Sequence, residues 1–171
     1  MTEYTLWKYA FLSLIFLGSY GCGFHLRTPT PLPPTLKEIY IDDTSPYDPF
    51  VQALQNTLED AAIVVSDTPK TNITTLHIIQ QSFSKKMGGI STSTNTRQYT
   101  LYYMVQFELI SKEKTTLIAP TRLSTSKTLT INSNQILGSS AEEETLKREM
   151  QQTLAEQLLR HLRLKPPLQS P

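Results

Sequence analysis

From Arg97 to Ser111 the chain reads "RQYTLYYMVQFELIS", and its apolar positions recur at every second residue. Tyr99, Leu101, Tyr103, Val105, Phe107 and Leu109 share one face, and Thr100, Tyr102, Met104, Gln106 and Glu108 share the other. Sustained period-2 alternation predicts a strand with one buried side. Two further segments carry a similar signal. "ITTLHIIQQSFSKKM", residues 73–87, is strand-like, and "GGISTSTNT" after it predicts a turn or loop at Gly88–Gly89. "TTLIAPTRLSTSKTLTIN" follows the polar turn Lys112–Lys114, and Pro120 within it predicts an edge strand or a bulge. Upstream, "KEIYIDD", residues 37–43, predicts a short strand with Ile39 and Ile41 on one face.

The other period in the chain is helical. In "DPFVQALQNTLEDA" the residues Phe50, Leu54, Leu58 and Ala61 form an apolar stripe, Asp48 is placed to cap, and Pro49 takes the first helical position. "VVSDTPKTN", residues 64–72, is rich in breakers and reads as a loop. Near the C-terminus Leu146, Met150, Leu154, Leu158 and Leu162 repeat at i+4. Ser140 and Glu143 match a capping box, Glu142, Glu143 and Glu144 would fill the first turn, Arg160, Arg163 and Lys165 favour the negative end, and Pro166–Pro167 stops the helix.

The expected order is β-α-β-β-β-α. Each helix has one apolar face, so both must lie on the same sheet. The predicted fold is α+β, a two-layer sandwich with two helices packed on one face of a four-stranded mixed sheet.

The first 22 residues follow different rules. "MTEYTLWKYAFLSLIFLGSYGC" places Lys8 before an apolar run from Tyr9 to Leu17, then the small residues Gly18, Ser19 and Gly21. Nine apolar-biased residues are too few for a span, which needs about 20. Basic, apolar and small regions in that order predict a signal peptide over residues 1–21. Cys22 is the sole cysteine, so no internal disulfide or multi-cysteine zinc site is available. Its position directly after the small residues resembles a bacterial lipoprotein signal, with Cys22 as the lipidated first residue. Ser19 and Tyr20 depart from the usual Leu and small residue before the cut. Four prolines between Thr28 and Leu36 predict an extended spacer, so residues 22–36 would be a lipidated N-terminus and tether. At about 3.1 Å per residue that spacer reaches roughly 28 Å. A single domain is expected over 37–165, with a tail at 166–171.

Composition and charge narrow the function. With 16 Lys+Arg and 15 Asp+Glu the net charge is +1, which gives no general attraction to nucleic acid. His25, His77 and His161 show no metal-ligand spacing, so no metal site is expected. No G-x-S-x-G elbow, S-x-x-K motif or phosphate loop stands out, so no catalytic residue is expected. The glutamate run reads as a charged helix start rather than as paired catalytic carboxylates. Tyr99, Tyr102, Tyr103 and Phe107 lack interleaved basic residues, and core packing or an interface explains them better than a nucleic-acid platform. Lys85, Lys86 and Arg97 should meet near one end of the sheet, with Arg122 and Lys127 on the next strand. Such a cluster is a candidate phosphate site, weighed against ordinary solvated lysines.

"CGFHLR" from Cys22 to Arg27, joined to the later pattern Glu149-Met150, Ala155, Gln157-Leu158 and Leu162, resembles the LPS-assembly lipoprotein family, LptE. Gln98-Tyr99 stands where that family has Glu-Tyr. The resemblance covers nearly all of the chain after Cys22. It implies a non-enzymatic outer-membrane lipoprotein, anchored by diacylglycerol and an N-acyl lipid on Cys22, with no other cofactor. It implies a role as plug and assembly partner inside an LptD-type β-barrel and binding to lipopolysaccharide, with Lys85, Lys86 and Arg97 matching the family's loop-tip cations by location alone and Arg122 or Lys127 by strand alone. A free periplasmic-facing lipoprotein that binds a ligand or envelope polymer is the alternative.

Overall fold

A computed structural model describes residues 36–43, 45, 47–70, 72–91, 96–132 and 136–164. The expected signal peptide, the lipidated Cys22, nearly all of the tether and the tail lie outside them. β1 (Glu38–Asp42) is followed by α1 (Pro49–Asp60), β2 (Val64–Ser66), β3 (Thr74–Ser91), β4 (Thr96–Ile110), β5 (Thr116–Asn132) and α2 (Ile136–Leu164).

The five strands form one mixed sheet in the order β2-β1-β3-β4-β5. β1 pairs parallel to both β2 and β3, while β3, β4 and β5 run antiparallel. The fold is α+β, as expected, but the sheet has a fifth strand at residues 64–66, where the breaker-rich sequence predicts a loop. β2 is three residues long, too short to show a period, and it gains its ladder from β1, a partner distant in sequence.

Asp48 caps α1 as predicted, its carboxylate accepting from the Phe50 backbone N–H at 2.8 Å with Pro49 following. Ala62 ends the helix with φ of 61° and donates to Glu59 O, and Ile63 N–H returns to Leu58 O. α2 begins at Ile136, before the expected cap, so Ser140 and Glu143 are interior and no acidic residue lies in the first turn. Its second half carries the packing. Met150, Leu154, Ala155, Leu158 and Leu162 are fully buried against Phe50, Leu54 and Leu58 of α1 and Leu101, Val105 and Phe107 of β4. Leu36, the last residue of the expected tether, is also fully buried in this core.

Bulges shape the long strands. An extra residue, Ile79, interrupts the β3–β4 register, and β3 side chains change face there. Leu76 and Ile78 face the helices before it; Gln81, Phe83 and Lys85 sit opposite the inward-facing Val105, Tyr103 and Leu101 after it. Gly88–Gly89 is no turn. β3 continues to Ser91, and Gly88 is the extra residue of a second register shift. Pro120 lies on the edge strand, where a shift sets Ala119 and Pro120 between the pairs Leu109–Ile118 and Phe107–Thr121. An edge position and an irregular ladder both tolerate its missing N–H.

Candidate functional site

The register sorts the five candidate cations onto two faces. Lys85, Leu101 and Lys127 form one row across β3, β4 and β5 on the helix side. Arg97 stands on that side too, four residues nearer the far end of the sheet, opposite Ile90 and Ile131. Lys86 and Arg122 fall on the uncovered side, opposite Thr100 and Gln106. Lys85, Lys86 and Arg97 do share one end of the sheet, but Lys86 is turned away from the other two.

α2 reaches both helix-side lysines. Lys85 Nζ donates to Glu143 Oε2 at 2.6 Å, and Lys127 Nζ donates to Glu149 Oε2. Lys85 also lies over the Tyr99 ring at 4.6 Å from its centroid, and Lys147 of α2 lies 5.3 Å from that of Phe83. Both ion pairs are partly solvated, so each contributes at most about 1 kcal/mol. The glutamates expected to charge a helix start are instead the partners of the lysines expected to hold phosphate.

The uncovered face is polar. Ser82, Ser84, Lys86, Tyr102, Arg122, Ser124, Ser126, Thr128 and Thr130 are all exposed on β3, β4 and β5. Tyr102 is 43% exposed with Lys86 5.4 Å from its ring centroid. Arg122 Nη2 donates to Gln106 Oε1 at 3.4 Å, and His77 Nδ1 lies 3.0 Å from Glu108 Oε1. Of the four aromatics read as core or interface, Tyr103 and Phe107 are buried, Tyr99 is half-buried, and Tyr102 joins this open surface.

A polar chain crosses the interior. Gln151 Nε2 donates to the Tyr103 hydroxyl at 3.3 Å, which donates to Gln81 Oε1 at 3.0 Å, and Gln81 Nε2 donates to Asp43 Oδ2 at 2.9 Å. Burial pushes the Tyr103 phenol above its ordinary range, although the Gln151 donor works against that shift. The phenol therefore remains neutral and acts as a connector between α2, β4 and β3. Sequence alternation marks Tyr103 as inward, but its partners depend on the Ile79 bulge, which turns Gln81 inward. No group of three or more His, Cys, Asp and Glu side chains that could hold a metal ion occurs among the described residues.

Comparison with known proteins decides the family. The LptE lipopolysaccharide-assembly family model matches residues 36–162, which take in the whole sheet, α1 and all but the last two residues of α2. The chain belongs to the LptE family. An LPS-assembly lipoprotein LptE of Yersinia enterocolitica is 31% identical over 152 residues, covering 88% of this chain and 72% of the relative. The Pectobacterium atrosepticum protein of the same name is 28% identical over 152 residues, covering 88% and 82%. Among solved structures, lipoprotein B from Nitrosomonas europaea superposes with a TM-score of 0.64 at 24% identity, covering 81% of this chain and 88% of that one. A minor lipoprotein from Acinetobacter baumannii gives 0.63 at 15% identity, covering 78% and 94%. These two likenesses show that the chain shares the fold of those lipoproteins. As an LptE-family chain, the protein is placed among the lipopolysaccharide-assembly lipoproteins of the cell envelope.

Proposed function

We propose that this chain is a non-catalytic outer-membrane lipoprotein, held by acyl chains on Cys22, that plugs and helps assemble an LptD-type barrel and assists lipopolysaccharide insertion at the cell surface. The observation that carries the reading is the uncovered sheet face. It is broad and lined mainly by Ser, Thr, Gln, Tyr and charged side chains, with Met104 an apolar residue among them. A surface of this kind suits a hydrated barrel lumen, where contacts are hydrogen-bonded and water-bridged. The family match over residues 36–162 supports the same role.

Anchoring follows from chain number. Each buried CH₂ contributes about 0.8 kcal/mol, and several acyl chains hold where one alone is reversible. Lys85, Lys86 and Arg97 at the far end of the sheet, with Arg122 and Lys127 on β5, are the candidate contacts for lipopolysaccharide phosphates. Affinity purification from detergent-solubilised outer membranes tests the partner. Recovery of an LptD-type barrel in stoichiometric amount is expected, and repeated recovery of this chain alone rules the plug role out.

A further inference from the structure

α2 is one continuous helix with two unlike halves. From Met150 onward its inward residues are fully buried. From Ser139 to Glu149 every residue is exposed or half-buried, and only Leu146 packs against the core. Three charged contacts tie this first half to the sheet: Glu143 on Lys85, Glu149 on Lys127, and Lys147 over Phe83. Glu143 and Glu149 are six residues apart and so point about 120° apart around the helix. They splay to opposite sides, onto β3 and β5, with Leu146 midway between them.

We propose that residues 139–149 are an autoinhibitory strap, whose glutamates occupy an anion site that a phosphorylated glycolipid must take from them. The proposal rests on the reading that lipopolysaccharide phosphates bind the helix-side cations. Lys85 and Lys127 flank Leu101 in one row, with Arg97 beyond them on the same face. These are three positive side chains on one surface, and two already hold carboxylates. A phosphate monoester brings nearly two charges and three acceptor oxygens against the single charge of a carboxylate, so it competes well for the same ammonium groups. The exchange is easy because both ion pairs are partly solvated and the strap has little apolar area to lose. The fully buried residues from Met150 onward keep the rest of α2 in place while the strap lifts. Occupancy of the site is thereby coupled to the exposure of one helix half.

The test uses the full chain in detergent, with purified lipopolysaccharide and the same material dephosphorylated on its lipid A. Glu143→Gln with Glu149→Gln keeps side-chain size and removes the competing charges. Capture of the phosphorylated form should tighten about three- to tenfold, in line with losing two weak competing pairs, while capture of the dephosphorylated form stays unchanged. In the unsubstituted protein, phosphorylated lipopolysaccharide should also speed amide exchange within 139–149 and leave 150–162 unchanged. If the unsubstituted protein binds but the double variant binds no tighter, or gains equally for both forms, the strap is wrong and the phosphate reading stands or falls separately. If the unsubstituted protein captures neither form, the phosphate reading fails and the strap fails with it.

Discussion

Lys85 and Lys127 lie in one cross-strand row on either side of Leu101, and each is bonded to a glutamate of α2. Two ion pairs therefore tie the helix to both β3 and β5, the neighbours of β4. This arrangement separates two kinds of surface, a helix-covered face with paired charges and an open face with hydroxyls.

The first prediction concerns the two halves of α2. Without ligand, amides of residues 139–149 should exchange faster than those of 150–162, because local opening is easiest where buried apolar contact is least. Leu154→Ala should lower stability by about 2–5 kcal/mol, since it empties a fully buried position. Leu146→Ala, at a half-buried position, should cost clearly less. Urea unfolding of the two variants provides the comparison.

Tyr103 supplies a second test. Tyr103→Phe leaves the buried Gln151 amide without its acceptor and should cost about 1–3 kcal/mol. The pH dependence has a definite sign. Because the folded phenol titrates above its ordinary value near 10, the unfolded chain loses that proton first as pH rises. Stability from this group is thus full below pH about 10 and declines above it, and Tyr103→Phe should flatten that alkaline decline.

Ala62 provides a third. It holds φ of 61° at the end of α1, a region where a Cβ is strained. Ala62→Gly should raise the urea midpoint, by about 0.5–1 kcal/mol in stability, with the slope unchanged. A midpoint that falls would show that Ala62 makes compensating contacts.

Membrane attachment gives a fourth. Cys22→Ser should abolish incorporation of labelled palmitate and release the protein from outer-membrane fractions. Unchanged labelling would remove Cys22 as the anchor.

Much of the fold was legible because β4 alternates strictly and both helices carry i+4 stripes. Legibility ended where a single residue changed the register. Ile79 looks like one more apolar residue of a strand, yet as a bulge it turns Lys85 toward the helices and Lys86 away. Gly88–Gly89 carries the signal of a turn and of a bulge alike, and continued pairing with β4 made it the second. Ser140 and Glu143 satisfy a capping pattern, but the helix starts earlier and Glu143 serves Lys85 instead. The cations themselves were visible in sequence. Their carboxylate partners were not, because that pairing links β3 and β5 to a helix through sheet register alone.

The proposed plug role would place the open face against the barrel wall, and crosslinking in intact cells examines that contact directly. A photoreactive residue replacing Ser84 or Ser126, both exposed on the open face, should give an adduct with an LptD-type barrel. Adducts from neither position, with the protein correctly anchored and in normal amount, would contradict the account.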